Sequence, residues 1–174
     1  KKCHVNTVCL FMHLYLKKKF LYFKDYKIKC SIGKRGLAKK KIEGDLKTPK
    51  GSFFFKFLLY RQGRIKNINT KLKKIKIKQN FGWCDDSNSK YYNKLIHFPF
   101  KDSAEKLYLK KNIYDMILVI KYNMNPVKKF KGSAIFLHLT SKKYFPTKGC
   151  IAIKRKDFLK ILPYIDKRTK IFIN

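Results

Sequence analysis

A chain of 174 residues can bury a core as one domain without disulfide or metal staples, and a content of 45% hydrophobic and 16% aromatic residues excludes a disordered basic tail. The net charge of +34 points first to an anionic partner. Yet only five of the 44 basic residues are arginine (Arg35, Arg61, Arg64, Arg155 and Arg168), the side chain favoured for bidentate phosphate and base recognition, so no nucleic-acid partner is expected.

Along the chain, Lys1 and Lys2 followed by the apolar residues 8–16 resemble the start of an export signal, but Lys17-Lys18-Lys19 stand where a small-residue cleavage site belongs. The run is also too short to span a bilayer, and it reads as a β-strand. Residues 1–21 are therefore set apart as an N-terminal segment, a strand or the remnant of a targeting region, ahead of a domain at 22–174. The chain starts without Met, which leaves room for an upstream portion. The expected location is the periplasm or cell envelope if the chain is exported, and the cytoplasm otherwise; no transmembrane segment is expected.

Residues 22–31 read as a strand ending at Gly33 and Gly36, residues 44–51 as a turn-rich loop, and residues 52–60 as an aromatic strand. After a turn at Gln62-Gly63, the Ile–Lys alternation of residues 71–78 predicts a strand with one solvated face. Residues 103–111 carry a helix start signal and terminal lysines, predicting a short helix. Residues 116–121 and 133–139 are continuous apolar runs of strand length, as in buried strands, and Met124-Asn125-Pro126 is a turn. Phe158, Leu162 and Ile165 recur at helical spacing, with Pro163 shortening that helix, and residues 170–173 form a last strand. The expected fold is mostly β, a β-rich α+β single domain built as a sandwich or barrel with two short helices.

Five cysteines are an odd count, and none has a CxxC or metal-ligand spacing with His, so neither a metal nor a cofactor is expected. Cys3, Cys9 and Cys30 read as packed small hydrophobes. Asp85 and Asp86 are adjacent and suit turn or capping duty rather than paired acid–base work. Cys84 with His97 is a rival thiol and imidazole pair without a flanking glycine. Trp83, Tyr91 and Tyr92 read as core or groove aromatics, while His4 and His13 carry no assigned role.

The segment that carries chemistry is residues 132–153. His138 ends an apolar strand and Cys150 opens another, twelve positions on. If those strands are neighbours, the intervening loop brings imidazole and thiol to one sheet edge, which is what a thiol nucleophile needs. Gly149 would let substrate backbone approach and let main-chain amides meet an oxyanion. The same spacing also fits a buried core cysteine beside a histidine bonded to a carbonyl, and spacing alone leaves both readings open.

Gly132-Ser133-Ala134-Ile135-Phe136-Leu137-His138 followed by Thr147-Lys148-Gly149-Cys150-Ile151-Ala152-Ile153 resembles the signature of the YkuD-type L,D-transpeptidase catalytic domain. Glu43-Gly44-Asp45 with Thr48-Pro49-Lys50-Gly51 is similar to the family's Gly-Asp-x-x-Thr-Pro-x-Gly loop. Gly82-Trp83-Cys84-Asp85-Asp86, Tyr92-Asn93, Ser103-Ala104-Glu105 and Tyr114-Asp115 resemble its short-form members. The resemblance implies Cys150 as nucleophile, His138 as base oriented by the carbonyl of Leu139, and main-chain amides at Gly149 and Cys150 for the oxyanion. Thr147, Lys148 and Tyr144 are candidates for substrate or thiolate support. Lys148 stands where many members carry His, and Ala152 where many carry Arg or Asn. The implied partner is a peptidoglycan stem peptide. The implied reaction is 3→3 crosslinking through a Cys150 thioester, with L,D-carboxypeptidase trimming as an alternative and a monomer as the working unit. A basic module that binds nucleic acid or the envelope without catalysis is the competing class.

Overall fold

The computed structural model describes residues 12–39 and 41–174. Cys3, His4, Cys9 and the first four residues of the apolar run at 8–16 lie outside the described residues. The elements in chain order are β1 (Leu14–Lys17), β2 (Phe20–Phe23), β3 (Tyr26–Lys29), β4 (Leu37–Ala38), β5 (Thr48–Pro49), β6 (Gly51–Tyr60), β7 (Lys74–Lys76), β8 (Phe81–Cys84), β9 (Leu95–His97), β10 (Ala104–Lys106), β11 (Met116–Ile120), β12 (Phe136–Leu139), β13 (Ile151–Ile153), α1 (Arg155–Ile161) and β14 (Lys170–Ile173).

One long sheet runs β13-β12-β11-β6-β14-β1-β2-β3, with β7 added beside β6. Its two ends nearly meet. Just past β3, Ser31 bridges Ala152 of β13, its amide donating to the Ala152 carbonyl at 2.8 Å and its carbonyl accepting from the Ala152 amide at 3.0 Å. The sheet therefore curls into a nearly closed barrel, which removes the free edges an open sheet must protect. The mostly β architecture expected from the sequence is what the chain adopts.

Two apolar clusters explain why β11 is buried at every position. Leu118 and Ile120 face the barrel interior with Phe55, Leu137, Ile151 and Phe158. Ile117 and Val119 face outward into a second cluster with Leu59, Trp83, Leu107, Phe136 and Cys150. A small sheet ordered β10-β8-β9 covers that outer face. A strand covered on both faces reads as a continuous apolar run. The Ile–Lys alternation yields a short strand at β7, with Lys74 and Lys76 exposed.

Two expectations are corrected. Residues 103–111 are not a helix: Ala104–Lys106 is a strand whose Glu105 pairs with Trp83 of β8. A nine-residue segment is too short to be a stable helix on propensity alone, and the unpaired edge of β8 takes its main-chain groups instead. Among the described residues there is thus one short α-helix, α1, which continues as a 3-10 turn through Pro163. Residues 22–31 are likewise not one strand, because the chain reverses at Lys24-Asp25 into the β2–β3 hairpin, with Lys24 at φ 50°.

Four of the five arginines are held by the protein itself. Arg64 and Arg155 both grip the Asp115 carboxylate, at 3.0 and 2.7 Å, while Arg61 donates to the Leu109 carbonyl and Arg168 pairs with Asp166. Asp115 is 1% exposed but its partners are 34% and 41% exposed, so water shares the load and the deep-burial penalty applies only in part. Asp115→Ala is expected to lower stability by about 2 kcal/mol, read as a lower urea midpoint at unchanged slope.

Candidate active site

Parallel pairing sets Leu137 opposite Ile151 and His138 opposite Ala152. Because side chains alternate along a strand, Phe136 and His138 share the outer face of β12 with Ala152, and the residue two before Ala152 is Cys150. Imidazole and thiol thus emerge on one face of adjacent strands, the face that the small sheet covers. His138 is 6% and Cys150 8% exposed.

His138 Nδ1 lies 2.9 Å from the Leu139 carbonyl, and the main chain of Ile113 bonds the ring as well. Tyr114 meets the imidazole edge to face at 5.1 Å. Burial pulls the histidine down to about 4, against the two carbonyls, which favour the charged ring. It is neutral near pH 7 and able to accept a proton. The Cys150 thiol donates to the Ala134 carbonyl at 3.1 Å. Burial, followed by the charge of Glu105, pushes it up to about 12, while the Phe136 main chain and Lys41 act the other way. The resting sulfur is therefore a protonated thiol.

Ala134 sits in the left-handed region at φ 50°, a conformation a residue with Cβ adopts at a cost. Asn93 holds it there, its Oδ1 accepting from the Ala134 amide at 3.1 Å and from Trp83 Nε1 at 2.9 Å, while its Nδ2 donates to Tyr122 and Asn123.

The remaining sequence-predicted residues divide. Thr147 is at the site: its Oγ1 donates to the Cys150 carbonyl at 2.6 Å and accepts from the Gly149 amide at 3.1 Å. Gly149 has φ 146°, and a Cβ there would lie 2.9 Å from the Lys47 carbonyl. The protein's own loop, rather than an open approach path, fills that space. Lys148 is exposed, and its charge acts on the Glu105 carboxyl. Tyr144 stands apart, its ring lying against Lys29 and Lys154. The rival pair is not brought together, because His97 pairs with Phe81 and Cys84 lies three residues, about 10 Å, further along the strand. Asp86 caps its turn through the Asn88 amide, and Asp85 accepts from Ser103. His13 accepts from the Lys170 amide.

Three residues at the site escaped the sequence reading. Glu105 is held by Tyr114, whose hydroxyl donates to it at 2.7 Å, and burial raises both groups. Their only signal was membership of matching blocks. Lys41 is buried and paired with Asp45, and no signal separated it from the other lysines. A cavity of about 330 Å3 lies at Tyr91, His97 and Phe100 and one of about 390 Å3 at Lys39, Lys50 and Asn174. Neither is lined by Cys150 or His138.

The YkuD family model, described as the L,D-transpeptidase catalytic domain, matches residues 11–173. Among solved structures, the chain is similar to Bdellovibrio bacteriovorus Bd1075, at 17% identity and a TM-score of 0.47 over 94% of this chain and 48% of that one. It is also similar to an L,D-transpeptidase from Mycobacterium smegmatis, at 9% identity and a TM-score of 0.43 over 94% of this chain and 58% of that one. The chain spans about half the length of these structures. No curated protein matches it.

Proposed function

The chain belongs to the L,D-transpeptidase catalytic-domain family, and on that premise we propose that it transfers the acyl group of a peptidoglycan stem peptide through a thioester on Cys150, with His138 as the base. The observation that carries this reading is the β12–β13 register, which sets imidazole and thiol on one face of neighbouring strands.

A thiol pushed up to about 12 is almost wholly protonated near neutral pH, so its proton must leave as the sulfur attacks. His138, pulled down to about 4, is uncharged, and its unprotonated ring nitrogen takes that proton. Sγ then bonds to the carbonyl carbon of the stem's third residue, and the Cys150 amide meets the oxyanion. The peptide bond to the terminal D-alanine breaks, and the proton passes from the imidazolium to the departing amine. A second amine attacking the thioester gives a crosslink, and water gives a shortened stem. Either returns the proton to the sulfur through His138. The substrate places the work in the cell envelope.

Purified protein incubated with disaccharide tetrapeptide is expected to release D-alanine, and mass spectrometry of the products separates crosslinked dimer from tripeptide. Tetrapeptide recovered intact, with no D-alanine released, rejects the proposal.

A further inference from the structure

Lysine is the commonest charge on this surface, yet Lys41 is the one lysine among the described residues that is buried, at 4% exposure. Taking an ammonium out of water is unfavourable unless a partner offsets it. One glycine makes room for the Lys41 stem, and a second lies beside its charged end. A Cβ on Gly132 would lie 2.8 Å from Lys41 Cε, and a Cβ on Gly149 would lie 3.6 Å from Lys41 Nζ. The ammonium therefore ends against the residue that precedes the nucleophile. Asp45 fixes it there at 2.6 Å, and the same carboxylate accepts from the amides of Ile42 and Lys47, so the loop is tied to the charge it carries.

We propose that Lys41 is a positioning residue for the nucleophile: its ammonium, held by Asp45 against Gly149, favours the negative charge that develops on Cys150 when the thiol loses its proton. This rests on Cys150 being the reacting sulfur. The groups that face the thiol are Glu105 from β10, Tyr114 from the turn before β11, His138 from β12, and Lys41 with Asp45 from the loop between β4 and β5. Glu105 opposes the charged sulfur and Lys41 supports it. Lys148 acts on Glu105.

The test is the rate at which iodoacetamide alkylates Cys150 at a fixed pH of about 8.5, where rate follows thiolate fraction, read at that residue by peptide mass spectrometry. Lys41→Met is expected to slow it about tenfold, one unit of thiol pKa. Asp45→Asn keeps an acceptor oxygen for the ammonium and for the Lys47 amide, so Lys41 stays in place while its counter-charge is removed, and the reaction should speed up. A residue that merely props the loop predicts otherwise, since breaking either half of the pair would then move the rate in the same direction. Equal rates in Lys41→Met and the unaltered protein, or same-direction changes in the two variants, overturn the proposal. Should circular dichroism show Lys41→Met unfolded, Asp45→Asn decides alone: faster supports it, and unchanged or slower overturns it. Alkylation needs no stem peptide, so this outcome stands apart from whether acyl transfer occurs.

Discussion

Incubated with a carbapenem, a mimic that L,D-transpeptidases accept as an acylating agent, the protein is expected to gain the mass of one β-lactam on Cys150, and Cys150→Ala is expected to gain none. Release of D-alanine from a tetrapeptide should fall at least about a thousandfold in the same variant, because no other described thiol lies beside His138 to form the covalent intermediate. The other described thiols are poor substitutes: burial pushes Cys30 up to about 12 and raises Cys84, and neither shares a face with His138. Alanine keeps most of the buried volume and leaves the Ala134 carbonyl without its thiol donor, a cost too small to unfold the chain. An adduct that persists in folded Cys150→Ala would remove the sulfur from its proposed role.

Replacing the base should be nearly as damaging. His138→Gln is expected to lower turnover by roughly a hundredfold to ten-thousandfold, since the thiol proton then has no acceptor at the point of attack. The same histidine leaves a mark on stability. Its folded-state value of about 4 lies below the ordinary 6.5, so the unfolded chain binds a proton first as pH falls. The associated stability is fully present above pH 6.5 and is lost progressively as pH drops toward 4. Cys150 works in the opposite sense: raised from 9.0 to about 12, its contribution is present below pH 9 and declines above it. Urea midpoints should therefore be flat between these limits and fall on the acid side. His138→Gln should flatten the acid limb by on the order of 2–3 kcal/mol. An acid limb identical in both proteins would mean the imidazole is not held neutral by burial.

Much of this arrangement was legible in the chain. β11 and β12 announce themselves as apolar runs because each is covered on both faces, and β14 and the α1 region follow from simple periodicity. What failed were the places where tertiary context outweighed local preference. Ala104–Lys106 becomes a strand only because β8 offers it an edge, and no window around Glu105 contains that information. The Lys24-Asp25 reversal lacks the Gly or Asn that usually marks a tight turn. At the site, the spacing of His138 and Cys150 could be read, whereas the surrounding electrostatics could not. Lys41 looks like every other lysine until the fold buries it. Ala134 gives no hint of its backbone conformation, which depends on Asn93 some forty positions earlier.

The position of β1 carries a consequence for any shortened version of this protein. Leu14–Lys17 lies between β14, with which it runs parallel, and β2, with which it runs antiparallel, so those two strands never touch. A polypeptide beginning after residue 21 would lose β1 and half of β2, leaving the inner edge of β14 bare and what remains of the hairpin cut loose from it. The clasp at Ser31 would then be the hairpin's last main-sheet attachment, and strain there would pass directly to Ala152 and the segment bearing the sulfur.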